Sequence, residues 1–316
     1  MSTVASRHLA YVDEVERRLE AAVAAQRGSV PEAAARTLRS GGKRLRPLLV
    51  TLCAPQSAAG RPELAAAGCA VELIHMATLV HDDVLDAAPL RRGRPTVWQT
   101  DGRELAVSTG DYLFARAFAE LAATGDIIAV SVLADACLSL ARGEVLQRAQ
   151  AGDPATPVEL YLERCRLKTG RLFAAAATLG AHFGGLPAAD GERLARFAES
   201  LGLAFQIADD VLDCDGDPET TGKPLGTDLL DGTVSLPLIL AAQRDAGVHA
   251  VIARGARPDD VLPTLARVVA SGALADAKSE AGRFAEDALQ ALEQVNGAVD
   301  HDALLDAVRV ATERRA

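Results

Sequence analysis

The chain has 316 residues and a formal net charge of −10, with 49% hydrophobic but only 3% aromatic residues. That length is enough to bury a sizeable core as one large domain or two, and the acidic balance excludes general nucleic-acid binding, which needs a basic face. Ala and Leu dominate and β-branched alternation is scarce, so an all-helical build is expected.

In chain order, Met1 to Leu19 holds Glu14, Glu16 and several arginines where a secretory leader would have an apolar core. Val12, Val15, Leu19 and Val23 repeat at helical spacing. Similar stripes continue between breaks at Gly41-Gly42, Pro55–Pro62, Pro89–Pro95, Gly152–Pro157, Gly184–Pro187 and Asp215–Pro224. They predict roughly ten or more helices of ordinary length. The apolar stretches Leu64–Val80 and Leu172–Leu186 are short or interrupted by Glu72, His75 and His182, so neither is expected to span a membrane. Cys53, Cys69, Cys137, Cys165 and Cys214 are odd in number and scattered, which fits buried thiols in a reduced cytoplasm. No composition shift resembles a linker, and residues 1–316 read as a single domain. From Val248 onward there is helical periodicity without nameable chemistry.

The most informative feature is a duplicated acidic pattern, Asp82-Asp83-Val84-Leu85-Asp86 and Asp209-Asp210-Val211-Leu212-Asp213. On a helix, residues i and i+4 share a face, so each cluster presents paired carboxylates while Val and Leu turn away. Neighbouring carboxylates repel and are costly to bury without a partner, so a bound cation is the simplest explanation; oxygen-only donors point to Mg²⁺ rather than zinc. One such cluster arises readily by chance, but two identical ones do not.

Cations accompany the acids. Gly42-Lys43-Arg44-Leu45-Arg46-Pro47 begins a helix, and Arg91-Arg92-Gly93-Arg94-Pro95 follows the first cluster. Lys168-Thr169-Gly170 interrupts a helix, and Gly222-Lys223-Pro224 follows the second cluster. Taken singly, an Arg pair is ordinarily a solvated surface feature and His75 on an apolar helix an ordinary core residue. Together with two acid clusters they form what a diphosphate requires, metal-bridged oxygens neutralised by guanidinium and ammonium groups.

These residues resemble the trans-isoprenyl diphosphate synthase, or polyprenyl synthetase, family. The resemblance runs through Gly41 to Pro47, Glu72-Leu73-Ile74-His75, Asp82–Asp86, Arg91-Arg92-Gly93, Gly110-Asp111, Gly143-Glu144 with Gln147, and Lys168-Thr169-Gly170. It continues through Phe205-Gln206 and Asp209–Asp213 to Gly222–Gly226 and Asp228. It implies an all-α bundle around a central cavity, the isoprenoid synthase type I fold, normally a homodimer. It also implies about three Mg²⁺ ions between Asp82, Asp86 and Asp209, with Asp210 and Asp213 also assigned to the metal cluster. Arg91, Lys168 and Lys223 would hold the allylic diphosphate and stabilise it as it leaves. Lys43, Arg46, His75 and Arg92 would bind isopentenyl diphosphate, and Thr169 and Gln206 would turn oxygen dipoles toward the allylic cation. The departing diphosphate takes the proton, so no protein base is needed. One departure is Gly232 followed by Thr233, where many relatives have a second Lys.

Short-chain relatives place a bulky aromatic just upstream of the first cluster; here Ala77 and Thr78 stand there. Ala77 lies about 7.5 Å along the helix from Asp82, although ideal helix angles put Thr78 nearer the carboxylate face. Ile74, Leu73 and Ala70 would form the deeper wall and Phe114 or Phe118 a floor, with ordinary core packing as the competing reading. The expected product is an all-trans polyprenyl diphosphate longer than C20, in the range of about C30–C50 on the resemblance, which partitions into membrane although the enzyme has no integral membrane segment. The rivals are a short-chain synthase, a terpene cyclase, whose second metal motif usually carries Asn, Ser and Glu, and a non-catalytic partner subunit, which tends to lose the acids or cations retained here.

Overall fold

The computed structural model describes residues 8–216 and 225–312. In chain order the elements are α1 (Leu9–Val23), α2 (Ser29–Arg39), α3 (Leu45–Leu52), α4 (Pro62–Leu85), β1 (Leu90–Arg91), β2 (Arg94–Pro95), α5 (Val97–Asp101), α6 (Arg103–Ala122) and α7 (Ile127–Gln150). There follow α8 (Val158–Cys165), α9 (Arg171–Gly184), α10 (Ala188–Asp215), α11 (Thr227–Asp231), α12 (Leu236–Ala242), α13 (Ala246–Arg254), α14 (Val261–Ala270), α15 (Ala273–Glu293) and α16 (His301–Thr312). The protein is all-α as expected. Among the described residues its strands are two residues long and pair antiparallel, Arg91 opposite Arg94.

The chain divides into two compact units. The first comprises Met1–Cys137, Leu172–Ala195 and Gln294–Asp306. Its axis is α4, which starts with Pro62 in its first turn and Glu63 at the positive end of the helix dipole. Every residue from Leu64 to Ile74 is buried, so this helix is covered on all sides, as uniform apolarity dictates. By length and composition α4 could cross a membrane, but here it is a core helix. α6 and α3 pack along it, and α1 turns Val15, Leu19, Ala22 and Val23 inward.

The second unit comprises Leu138–Arg171, Arg196–Glu293 and Ala307–Ala316. Here α12 packs on α15, and α14 on both α13 and α15. α13 is capped by Asp245, whose Oδ1 accepts from the N–H groups of Gly247 and Val248. The interruption expected at Lys168-Thr169-Gly170 is a five-residue π-helix, Arg166–Gly170, inserted without a break between α8 and α9. Such single π turns add one residue to the helix register and recur at functional sites.

Candidate active site

Both acidic clusters sit at the C-terminal ends of long helices. Asp86 is the C-cap of α4, its N–H bonded to Asp82 O at 2.8 Å, and the second cluster lies in the last two turns of α10. A helix C-terminus is the negative end of the macrodipole, so carboxylates there add unfavourable field to mutual repulsion, and a cation relieves both.

In the first unit, the three acids of the cluster have different fates. Asp82 and Asp86 are half-buried. Asp83 is buried and its Oδ1 accepts from Arg91 Nε at 2.6 Å; burial raises its pKa while Arg91 opposes the shift. Asp83 therefore anchors Arg91, while its neighbours Asp82 and Asp86 are the more accessible carboxylates of the cluster. On α4 from Ile74 to Asp82 the residues left half-open are His75, Thr78, Leu79, His81 and Asp82, whereas Ala77 and Ile74 are fully covered. Thr78 is one turn from Asp82 on the same row.

The basic segments meet in this unit. Arg92, in left-handed backbone with φ 52°, donates to the carbonyl of Gly41, and Arg94 donates to Arg39 O at 2.9 Å, so the hairpin docks on the loop before α3. Around half-buried His75 stand Arg46, Arg92, Arg91 and Arg44; burial first, then these charges, hold its pKa well below the usual imidazole value and keep it neutral. Burial pushes the Arg46 guanidinium down to about 10, with Arg92 adding to the shift and Glu72 opposing it. Arg46 lies over the Phe173 ring at 4.8 Å, and its Nε has no hydrogen-bond partner among the described residues. A buried guanidinium N–H left without an acceptor is costly, and an anionic ligand can supply what is missing. Lys43 is exposed at the mouth of the same loop. Arg44, between these two in sequence, is committed elsewhere: it bonds Glu16 and, at 2.9 Å, buried Glu72.

In the second unit, Asp209 is half-buried, whereas Asp210 is buried and fully engaged. Tyr161 donates its hydroxyl to Asp210 Oδ2 at 2.6 Å, and Gln206 Nε2 donates to Oδ1 at 2.9 Å. Burial pushes the Asp210 carboxyl up to about 6. Asp213 Oδ1 and Oδ2 accept from the N–H groups of Thr227 and Asp228, both at 3.1 Å, tying the cluster to the start of α11. Thr169 Oγ1 donates to Gln206 Oε1 at 2.8 Å. Lys168 reaches Glu144 Oε2 at 2.5 Å, and although burial alone would raise the Glu144 pKa, Lys168 and Arg148 bring it below its ordinary value. The π segment lies so close to α7 that a Cβ on Gly143 would sit 2.7 Å from Lys168 Cγ. Lys223 lies outside the described residues.

Among the described residues no three His, Cys, Asp or Glu side chains are gathered into a ready-made metal cage. The donor chemistry nonetheless fits Mg²⁺, which characteristically binds through one or two carboxylates, retained waters and substrate phosphate oxygens. Sequence reasoning missed Asp83 as an anchor, the Glu16–Arg44–Glu72 network, and buried Tyr161 and Arg164. Their partners lie far away in the chain, and no local spacing signals them.

The polyprenyl synthetase family profile matches residues 29–264. The chain is 39% identical over 281 residues to heptaprenyl diphosphate synthase component 2 of Geobacillus stearothermophilus, covering 88% of each chain. It is 39% identical over 284 residues to the geranyl-diphosphate-specific all-trans-nonaprenyl-diphosphate synthase of Rhodobacter capsulatus, covering 88% of this chain and 86% of that one. The structure matches that of a polyprenyl synthase from Caulobacter crescentus, solved with calcium and isoprenyl diphosphate, at a TM-score of 0.92 and 36% identity, with 99% and 97% of the two chains covered. With the twin acidic helix ends and the arginines gathered around His75, these likenesses establish that the chain belongs to the polyprenyl synthetase family and is a prenyltransferase of the trans-polyprenyl diphosphate synthase type.

Proposed function

We propose that this chain catalyses the Mg²⁺-dependent head-to-tail condensation of isopentenyl diphosphate with an allylic diphosphate, giving an all-trans product longer than C20, in the range of about C30–C50 expected from the long-chain relatives. The observation that carries the reading is Arg46, a half-buried guanidinium whose buried Nε has no hydrogen-bond partner among the described residues, beside neutral His75 and Arg92, on the unit that also carries half-buried Asp82 and Asp86.

Arg46, Arg92 and Lys43 bind the diphosphate of isopentenyl diphosphate, and His75, being neutral, donates one hydrogen bond without adding charge. Asp82 and Asp86 in the first unit and Asp209 in the second are the carboxylates that would hold Mg²⁺, which when bound would supply charge neutralisation to the allylic diphosphate as it departs. Asp210 and Asp213 orient that face, since the oxygens of both are committed to protein donors. Arg91, Lys168 and Lys223 neutralise the leaving group, and the departing diphosphate takes the proton lost from the new double bond. Thr169 and Gln206 direct oxygen lone pairs at the allylic cation, so catalysis is positioning plus electrostatics. Residues 1–316 act as one catalytic domain in the cytoplasm, and exposed Ile127, Leu138 and Val145 on α7 supply an apolar face for a second copy in a homodimer.

The test is elongation by the purified chain alone, with Mg²⁺, isopentenyl diphosphate and farnesyl or geranylgeranyl diphosphate, reading lipid length by chromatography. Products beyond C20 that vanish with a chelator are expected. If the folded chain elongates nothing, the reading fails, and the partner-subunit alternative, to which the component 2 relative gives a precedent, takes its place.

A further inference from the structure

Tyr161 on α8 is fully buried, with 0% of its surface exposed, and belongs to a hydrogen-bonded row that ends at Thr169. Its hydroxyl donates to Asp210 Oδ2, Gln206 Nε2 donates to Asp210 Oδ1, and Thr169 Oγ1 donates to Gln206 Oε1, at 2.6, 2.9 and 2.8 Å. Beside the ring, at 5.1 Å from its centroid, lies the Arg164 guanidinium, itself fixed by Gln150 Oε1 and the Val234 carbonyl, each at 2.9 Å. The row has a single polarity. An ionised carboxylate only accepts, so the amide of Gln206 must turn its NH₂ to Asp210 and its oxygen to Thr169, whose hydroxyl must then donate. The two ends of a primary amide have nearly the same shape, so sterics alone do not choose between them.

We propose that Tyr161 is a positioning residue for prenyl transfer: by holding the Asp210 carboxylate it sets the amide polarity of Gln206, and through it the direction in which the oxygens of Gln206 and Thr169 present their lone pairs. This rests on the prenyltransferase reading above, in which those two oxygens face the allylic cation. A carbonyl dipole reversed at that point would present N–H to a cation, turning attraction into repulsion in a site of low dielectric.

The experiment is a double-mutant cycle, Tyr161→Phe and Gln206→Met singly and together, with a spectroscopic readout that needs neither metal nor substrate. Phe keeps the ring against Arg164 and removes only the hydroxyl, with its bonds to Asp210 and Cys165. The single variant Tyr161→Phe is expected to lower kcat about tenfold with both KM values within about twofold of wild type; in the Gln206→Met background the same change is expected to alter kcat less than about twofold. In wild type the side-chain NH₂ of Gln206, assigned by its loss in Gln206→Met, is expected as two well-separated proton resonances exchanging slowly with water, converging in Tyr161→Phe. Additive losses in the cycle, an unchanged kcat in folded Tyr161→Phe, or a motionally averaged Gln206 NH₂ pair in wild type would each overturn the proposal. If Tyr161→Phe does not fold, the wild-type amide signature decides alone. If wild type elongates nothing, the functional reading fails, while the amide signature still reports whether Gln206 is fixed.

Discussion

Asp83 and Arg91 are joined at 2.6 Å, the buried middle carboxylate of the first cluster gripping the guanidinium nearest to it in the following hairpin. The bond turns a cluster that looks like three equivalent ligands into two half-buried carboxylates, Asp82 and Asp86, with a buried anchor between them.

Breaking that anchor should cost substrate binding before it costs chemistry. Asp83→Asn keeps the shape but loses the charge assistance, which is worth about 1.5–3 kcal/mol in such bonds. The KM for the allylic diphosphate is expected to rise about tenfold, with a smaller fall in kcat. Saturation curves unchanged from wild type would detach Arg91 from that phosphate.

Gly110 and His81 form a second tight pair. A Cβ at Gly110 would stand 2.1 Å from His81 Nε2, in a ring that stacks on Phe114 with centroids 5.8 Å apart. Gly110→Ala is therefore expected to destabilise by about 1–3 kcal/mol through overpacking, although Ala alone would gain about 1 kcal/mol in helix propensity. Adding His81→Ala should return most of the loss. Denaturant midpoints of the three variants measure both effects.

His75 predicts a pH dependence of stability. Its folded pKa is depressed below the usual 6.5 by burial and the surrounding arginines. Below that pH the unfolded chain takes up a proton that the native state refuses, so this group's contribution is intact above the unfolded pKa and is lost as pH falls. Near pH 5.5 its share of the slope approaches about 1.4 kcal/mol per pH unit. His75→Gln should lose that slope in urea melts between pH 7 and 5; parallel curves for variant and wild type would contradict it.

Arg46 should show stability traded for binding. Its charge, partly desolvated, stressed by Arg92 and with a buried Nε lacking a partner among the described residues, is a liability in the ligand-free protein. Arg46→Met is expected to leave the thermal midpoint equal to or above wild type while weakening isopentenyl diphosphate binding by at least about tenfold. Calorimetric titration beside thermal melts separates the two. A clear loss of stability would show that the guanidinium is satisfied within the fold.

Thr78 is half-open on the row of Asp82, whereas Ala77 is completely covered. Thr78→Phe should therefore shorten the product by at least one isoprene unit, because a ring there fills space beneath the reacting carbons. Ala77→Phe has no room for a ring and is expected to lose about 1–3 kcal/mol of stability as well. Chain-length profiles and melts of the two variants check this, and an unchanged Thr78→Phe product would refute the pocket assignment.

The all-α class, the helix breaks among the described residues, and the pairing of the first acid cluster with the Arg91 segment were legible in the sequence, because all depend on near neighbours in the chain. The apolar run of α4 predicts burial on every side, and the i,i+4 spacing of Asp82 and Asp86 predicts one face, without knowledge of any distant residue. What folding alone decided is which of several identical side chains does which work. Asp209 and Asp210 are adjacent and equivalent on paper, yet Tyr161, 49 residues away, bonds Asp210, which is buried while Asp209 stays half-exposed. Arg44 and Arg46 read alike until Glu16 and Glu72, each 28 residues distant from Arg44, bind only it. At Lys168 the sequence marks an interruption, but its form as a π turn inside a continuous helix is invisible locally. The approach of Gly143 is set by packing between segments remote in sequence, and helix spacing carries no information about that packing.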